Sequence, residues 1–573
     1  MHLNTKADKS NTYDAIVVGS GISGGWAAKE LCEQGLKVLL LERGRNFEHV
    51  KDYETAMKAP WELPHRNKLT NEIREKFPQQ TIESSYPIDE ANQALWQADA
   101  EVDYHNTDKF SWFRASVVGG RSLLWGRQCY RWSDLDFEAN AKDGIGNDWA
   151  IRYKDLEKWY DYVENFAGIS GNYDNIAHLP NSKFQPAMEM NCLEKSIKEK
   201  FKAIYGNDRH FIMGRVAHIT SPQAIHTELG RASCQYRNLC SRGCPYGGYF
   251  STQAATLPAA MKTGNLTLRP DSVVSRVIYD DAKGKTTGVE VIDTTSKKTT
   301  EFYTKIIILN ASTIATAQIM LNSTSKRFPN GLGNDSDMLG RNVMDHVSRI
   351  GASGMAEGME EDYYYGRRAN GIFIPRFRNI GKDKQNYLRG FNYQGGASRQ
   401  GWERGIGSEG FGADFKDNLS NAGAWTFSLG GYGECLPYKE NRMYLHESEK
   451  DMFGLPKVAF DCELKENELQ IRKAIGDDAA EMLEAIGLKN VKINDRPYIL
   501  GLSKHEMGTA CMGNDPKTSV LNKYNQVWGA ENVFVTDGAC MASSSAVNPS
   551  LTYMALTARA CHYAVEELKK QNL

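Results

Sequence analysis

Tyr13-Asp-Ala-Ile-Val-Val-Gly19-Ser-Gly21-Ile-Ser-Gly24 opens the first structured segment, which closes on Val38-Leu-Leu-Leu-Glu42. Ala15–Val18 is a short apolar run with the composition of a buried strand. Glycine then recurs in the G-x-G-x-x-G pattern. Gly25–Gly35 reads as a helix with Ala27, Ala28 and Leu31 on one face and Gly35 as its stop. Val38–Leu41 is a second strand, and Glu42 ends it 23 positions after Gly19. Each glycine has a task here. Gly19 allows the tight strand-to-helix turn, Gly21 lets backbone approach a pyrophosphate, and Gly24 lets the helix pack close on the strand. Glu42 suits a pair of ribose hydroxyls. The stretch predicts a βαβ unit with a dinucleotide site.

Working outward, α/β grammar returns at intervals. Leu266–Leu268, Val273–Tyr279, Val289–Ile292, Lys305–Leu309 and Asn532–Thr536 read as strands, and Trp149–Gly168, Gln253–Thr263 and Leu551–Leu568 as helices. Between about 350 and 495 the texture changes. Ile372–Phe377, Leu388–Gln394, Trp425–Tyr432 and Arg442–His446 are short aromatic runs broken by glycine, which suggests an antiparallel sheet, with Glu466–Ile486 as a helix. The expected fold is α/β (α+β overall). A Rossmann-like cofactor domain (12–50, 105–135, 250–345 and 496–573) is interleaved with a substrate domain on an antiparallel sheet (150–249 and 346–495).

Composition removes other classes. The chain has 573 residues, 41% hydrophobic and 24% charged, with 69 Lys and Arg against 71 Asp and Glu. That balance is ordinary for a globular protein and argues against disorder and against a polyanion binder, so no nucleic-acid partner is expected. The polar start from Met1 to Asn11 is not a signal peptide, and no apolar run approaches the ~18–20 residues of a spanning helix. A soluble chain without a transmembrane segment is expected. The 11 cysteines are an odd number and do not read as a secreted disulfide framework.

The second strand terminus, Thr536-Asp537-Gly538, precedes a helix that starts near Pro549, a sound first-turn residue. The positive end of that helix suits a reduced flavin ring, which favours FAD over NAD. At this point Val18–Glu42, Val118-Gly-Gly-Arg-Ser-Leu-Leu-Trp125, Trp149–Gly168, His505-Glu-Met-Gly-Thr509 and Asn532–Leu556 line up with one family. The chain resembles the glucose–methanol–choline oxidoreductases over nearly its whole length. Within them it is most similar to bacterial FAD/iron–sulfur sugar dehydrogenases, the glucoside 3-dehydrogenase catalytic subunit above all, on Tyr363–Asn379 and Gly433-Glu-Cys-Leu-Pro437. Two departures stand out. Leu124 replaces the histidine that attaches FAD covalently in some members, so non-covalent FAD is expected. Asn310-Ala311-Ser312 stands where relatives often have a glycine.

The resemblance implies His505 as the base that takes the hydroxyl proton, the task for which an imidazole titrating near neutrality is suited. Its partner is Asn548, which can hold the substrate hydroxyl without competing for the proton. Cofactor contacts are expected from Gly19, Gly21, Gly24, Glu42 and Arg43 at the first turn. Further ones are expected from Gly119, Gly120, Ser122 and Trp125 at the Gly-Gly motif, and from Asp537, Gly538, Asn548, Pro549 and Ser550 near the end.

Cys234-Gln-Tyr-Arg-Asn-Leu-Cys240-Ser-Arg-Gly-Cys244-Pro245 can bring three thiolates to one centre. Zinc with a remote ligand, a disulfide and three unrelated cysteines are the alternatives on the residues alone. Standard two- and four-iron clusters want four cysteines, so three suggest a three-iron cluster. The resemblance implies [3Fe–4S]. It also implies a small helper subunit and a c-type cytochrome electron acceptor, with periplasmic location by co-export on the helper's signal, and otherwise a cytoplasmic one. Gln394 and Glu434 are expected to touch a sugar or glycoside. Tyr363-Tyr364-Tyr365, Arg367, Arg368, Trp402 and Trp425 are further pocket or lid residues. The first expected activity is oxidation at C3, with gluconate C2 or glucose/fructose oxidation, or a non-catalytic electron-transfer subunit, as alternatives.

Overall fold

The computed structural model describes the chain except residues 1–10, 83–87, 99–103, 106–107, 364–365, 367, 402–403 and 406–407. Tyr364, Tyr365, Arg367 and Trp402 therefore lie outside the described residues. The quoted motif folds as expected: strand Thr12–Val18, helix Ile22–Glu33, strand Val38–Leu41. The two strands pair in parallel, Ala15 beside Val38 and Val18 beside Leu41. Their apolar side chains are buried on both faces of the sheet, as parallel strands require. Strand Thr299–Leu309 joins the other edge of Thr12–Val18, and Ala530–Val535 pairs in turn with Thr299–Leu309. Leu266–Arg269 extends the sheet beyond Val38–Leu41. A hairpin, Ser272–Asp280 with Lys285–Asp293, leans on Thr299–Leu309 and completes eight strands of mixed direction with the short edge strand Gln526–Val527.

This layout matters because the parallel strands end together. Gly19 follows Val18, Glu42 follows Leu41, Asn310 follows Leu309, and Asp537 comes two residues after Val535. Ligands in such sheets bind outside these carboxyl ends. Helix Ser550–Lys569 packs beside Ile22–Glu33. Trp26 locks the face of Ile22–Glu33 to helix Tyr153–Ala167, meeting Phe166 edge-on at 5.1 Å.

The second sheet is antiparallel and has seven strands. Its order is Lys489–Asp495, Ile350–Ala356, Trp425–Glu434, Phe391–Arg399, Ile372–Ile374, Ile212–Met213, with His346–Val347 also on Trp425–Glu434. Helix Glu466–Ala485 covers one face. A Cβ at Gly431 would sit 2.2 Å from Ile475 Cγ2, so the glycines of Trp425–Glu434 let that helix approach. Register places Gln394 opposite Gly430, and Glu434 opposite His346.

Two local expectations change, and one unannounced strand is added. Arg442–His446 belongs to a separate hairpin, in which Arg442–Lys450 pairs with Pro456–Asp461 across a turn where Gly454 has φ +79°. The short return made local pairing available. Lys489–Asp495 is a strand although its pattern is polar, because it is an exposed edge that charges protect from further pairing. The helix expected from Trp149 begins at Tyr153, where the Arg152 N–H donates to the Asp155 carboxylate at 2.8 Å.

Candidate active site

One cavity of about 730 Å³ runs along the carboxyl ends of the parallel strands and on to the antiparallel sheet. At one end lies the glycine turn. Gly19 has φ +91°, and a Cβ there would meet Asn310 O at 2.3 Å; a Cβ on Gly24 would meet Gly19 O at 1.7 Å. A Cβ on Gly21 would meet nothing within 4 Å. Gly19 and Gly24 are thus required by the chain itself, whereas a side chain at Gly21 would enter the open cavity.

Glu42 lines the cavity but is already engaged. It accepts from Ser20 N at 3.0 Å, Ser20 Oγ at 2.5 Å and Gly44 N at 2.8 Å. A carboxylate has about four acceptor sites, so roughly one remains for a hydroxyl. Burial pushes its pKa up. Ser20 Oγ in turn accepts from Gly119 N at 2.8 Å, which couples the first turn to the Gly-Gly motif. Ser122 serves the chain: its hydroxyl donates to Gly119 O at 2.6 Å and accepts from Thr252 N at 3.1 Å. Gly120 and Arg43 line the cavity, Arg43 with its guanidinium over Phe453. Trp125 also lines it, with Nε1 donating to Phe250 O at 2.8 Å. Leu124 lies beside it and is 4% exposed, so it offers no nucleophile for covalent attachment.

The C-terminal strand end supplies the far wall. Asp537 accepts from Ala539 N at 3.0 Å and Thr316 Oγ1 at 2.6 Å, and burial raises it to about 6. A Cβ on Gly538 would lie 2.3 Å from Thr313 Oγ1. Pro549 and Ser550 start helix Ser550–Lys569 at the cavity edge. Ser312 has φ +80° and ψ 156°, a region that essentially only glycine visits. The glycine missing from the sequence there is therefore still demanded by the backbone. Ser312→Gly is expected to stabilise the protein by about 1 kcal/mol, the relief of strain less the entropy of glycine, and to raise the thermal midpoint by about 1–2 °C. A lower midpoint in calorimetry would show instead that the hydroxyl is needed.

His505, Asn548, Gln394, Tyr432, Gln128 and Asn370 line the end next to the antiparallel sheet. The His505 N–H donates to Asp345 Oδ1 at 3.0 Å. Asp345 also accepts from Gly501 N at 2.8 Å, Ser503 N at 2.9 Å and Tyr498 OH at 3.1 Å, and burial raises it to about 6. His505 Nδ1 lies 2.8 Å from His346 Nδ1. Burial, then the nearby His346, Lys504 and Arg121, pushes His505 well below its ordinary pKa. Arg121 holds the neighbouring Glu506 through both carboxylate oxygens, at 3.0 and 2.5 Å. Asn548 Oδ1 accepts from Gln394 Nε2 at 2.7 Å, which leaves the Asn548 amide N–H groups to serve as donors.

Glu434 requires correction. It is 1% exposed, does not line the cavity, and pairs with Arg389 at 2.9 Å. Its carboxylate is engaged in a charge cluster with Arg389, which also pairs with Asp143, and this cluster fixes the segment leading to Asn548. Arg389 Nη2 donates to Asn140 Oδ1 at 2.8 Å, and Asn140 Nδ2 donates to Ala542 O at 2.8 Å. Trp425 is likewise buried, with Nε1 donating to Asp362 O at 3.2 Å, and Arg368 pairs with Glu194 at 2.6 Å. Sequence reasoning missed His346, Thr252, Gln128 and Asn370. For His346 a signal existed: Asp345-His346 sits between Val343-Met344 and Val347, two titratable residues inside an apolar run.

Cys240 borders the same cavity, with Cys234 and Cys244 half-buried on its loop. Burial is the first cause raising Cys234, to about 11, and the charges of Cys240 and Cys244 add to it. Among the described residues the three sulfurs do not all lie within 4.8 Å of one another. No helix among the described residues is long and apolar enough to cross a membrane.

The family models for GMC oxidoreductase match residues 13–348 and 437–557. The chain belongs to the GMC oxidoreductase family, enzymes that act on CH–OH donors, and FAD is the cofactor the family implies. It is 27% identical to the 2-methyl-1,2-propanediol dehydrogenase of Mycolicibacterium austroafricanum, over 98% of this chain and 96% of that protein. It is also 27% identical to the fructose dehydrogenase large subunit of Gluconobacter japonicus, over 98% of this chain and 100% of that one. The crystal structure of pyridoxine 4-oxidase from Mesorbium loti shares the fold, with a TM-score of 0.57 and 15% identity over 96% of this chain and 99% of that one.

Proposed function

We propose that the protein is an FAD-dependent dehydrogenase that oxidises a secondary hydroxyl of a neutral sugar or glycoside, at C3 first. One observation carries this reading: a single cavity joins the glycine turn to the His505 and Asn548 side chains. The open space over Gly21, where a Cβ would meet no protein atom within 4 Å, fits a pyrophosphate. FAD, when bound there without a covalent link, supplies the hydride acceptor. Gly19–Gly24 and the start of helix Ile22–Glu33 would hold its phosphates, Glu42 would take a ribose hydroxyl with its remaining acceptor site, and the Gly119–Gly120 turn with Asp537, Gly538 and Asn548–Ser550 would border the ring.

His505 takes the hydroxyl proton of the substrate, and an Asn548 amide N–H holds the same hydroxyl in line. Gln394 fixes the Asn548 amide, and Gln128 Nε2 donates to Asn370 Oδ1 at 3.1 Å across the cavity. Such amides give paired donors and acceptors without charge, which suits the vicinal hydroxyls of a neutral sugar. The test is a dye-linked screen of sugars, glycosides, gluconate and small diols, with products located by NMR. A 3-keto product is expected. A carbonyl at another carbon, or gluconate as the sole substrate, overturns the assignment.

The cysteine loop is read as the holder of a [3Fe–4S] cluster by Cys234, Cys240 and Cys244. One zinc ion with Zn–S of ~2.3 Å needs sulfurs closer together than these, whereas a polynuclear centre is larger. The loop environment favours anions. Arg231 is 2% exposed, and among the described residues it donates to the carbonyls of Gly247, Phe166 and Ala167. Burial pushes it down to about 9, and the Cys244 thiol is the charge that opposes this. Three thiolates beside it would restore the missing countercharge. A cluster passes electrons singly, which suits delivery to a c-type cytochrome. The relative named as a large subunit suggests a further small subunit here, and export with that subunit would put the enzyme in the periplasm. Anaerobically purified protein is expected to carry iron and inorganic sulfide, and Cys240→Ser to lose both while keeping flavin. Zinc without iron in elemental analysis would remove the cluster.

A further inference from the structure

We infer that His346 is a positioning residue that keeps the proton of His505 on Nδ1 and leaves Nε2 bare toward the substrate. The inference rests on the reading of His505 as the base. Two hydrogen bonds carry it. His346 Nε2 lies 3.1 Å from Ser544 O, and His346 Nδ1 lies 2.8 Å from His505 Nδ1. A carbonyl only accepts, so His346 must carry its proton on Nε2. Its Nδ1 is then an acceptor, and the partner proton belongs to His505 Nδ1. The remaining nitrogen of His505 holds a lone pair.

The opposite arrangement needs a doubly protonated His346. Its side chain is fully buried at 0% exposure, and the adjacent Asp345 spends its oxygens on the N–H groups of Gly501, Ser503 and His505 and on Tyr498 OH. No carboxylate among these contacts turns to the His346 ring. The anchors are also fixed. Ser544 Oγ donates to Cys435 O at 2.9 Å and accepts from Cys435 N at 3.1 Å, and His346 itself pairs with Glu434 in the antiparallel sheet. The two imidazoles cross at 82° with centroids 4.9 Å apart, so the ring plane of His505 is held as well as its tautomer.

The choice of an imidazole has a chemical consequence. A carboxylate in this position would stabilise the imidazolium and keep His505 protonated before substrate arrived. A neutral acceptor fixes the tautomer without doing so. Bound FAD would supply the acceptor for the carbon-bound hydrogen and its electron pair, leaving a carbonyl; the part of this chain is that His505 Nε2 takes the hydroxyl proton. The Nδ1 proton stays where it is.

The test uses FAD-bound protein with ring-¹⁵N histidine, His505 being assigned by the signals lost in His505→Asn. At neutral pH the expected pattern is protonated Nδ1 and bare Nε2; a protonated Nε2 overturns the inference whatever the activity. His346→Gln retains both bonds, since its amide N–H can serve Ser544 O and its oxygen can accept from His505. His346→Leu fills the space and retains neither. The limiting rate of flavin reduction should fall about 10²-fold or more in His346→Leu, given that a wrong tautomer costs ~10⁴ in the serine protease triad, with substrate dissociation constant and flavin spectrum unchanged. His346→Gln should recover most of the rate. Wild-type rates in His346→Leu, or equal loss in both variants with flavin bound, overturn it. If no alcohol reduces the wild-type flavin, the proposed reaction fails while the ¹⁵N pattern still decides the tautomer.

Discussion

His505→Ala is expected to slow flavin reduction by about 10³–10⁴-fold, the upper range for loss of a positioned base, with FAD still bound. The segment around it does not depend on the ring. The His505 backbone N–H is held by Asp345, and Glu506 by Arg121 and by Thr313 Oγ1, which donates to its carbonyl at 2.6 Å. The turns at Gly19–Gly24 and Gly119–Gly120 lie far away in the sequence and keep their own bonds. The wild-type pH profile follows from the same site. Burial lowers the His505 pKa well below 6.5, so the free base is present until the pH falls through that lower value. Reduction rate should stay level from pH 8 to below 6 and then decline. Stopped-flow reduction across pH measures both. An acid limb at pH 7 or above, or wild-type reduction in the alanine variant, rejects His505 as the base.

Much of this site could be read in advance, and the reason is local. The βαβ turn is fixed by residues within one 30-residue stretch, where Gly19, Gly21 and Glu42 line the cavity and Gly24 packs against Gly19 O. Gln394 was readable as a pocket residue only because its strand was. Glu434 is buried against a partner 45 positions away, Arg389, and nothing local in the sequence reveals that pairing. His346 joins His505 across 159 positions, and nothing local in the sequence reveals that contact. Arg442–His446 was rightly a strand but wrongly placed, since composition gives the strand and not its neighbour. Ser312 is the converse case. Its left-handed backbone makes physical sense of a glycine that the sequence only lacks.

Gly21→Val separates what the chain needs from what the ligand needs. At Gly19 the backbone has φ +91° and a side chain would strike Asn310; at Gly24 it would strike Gly19 O at 1.7 Å. Neither clash can be relieved by a rotamer, because the obstacles are backbone atoms. Substitution at Gly24 is therefore expected to prevent the strand–helix turn from forming and to abolish soluble protein. Gly21 has φ −66° and ψ −164°, an extended conformation any residue adopts, with empty space beyond it. Its valine variant should fold, with far-UV circular dichroism like wild type and an apoprotein thermal midpoint lowered only by the ~1 kcal/mol that valine costs relative to glycine at the helix N-cap. Yet its side chain enters the channel that the proposed reading gives to the pyrophosphate over the helix start. FAD affinity should fall at least about 10²-fold, or ~2.7 kcal/mol, and activity with it. Titrating FAD into apoprotein, followed by quenching of flavin fluorescence, reads this directly. Wild-type affinity in Gly21→Val would mean that the phosphates do not cross this turn, whereas a misfolded variant would mean that the open space beside Gly21 is not what it holds in solution.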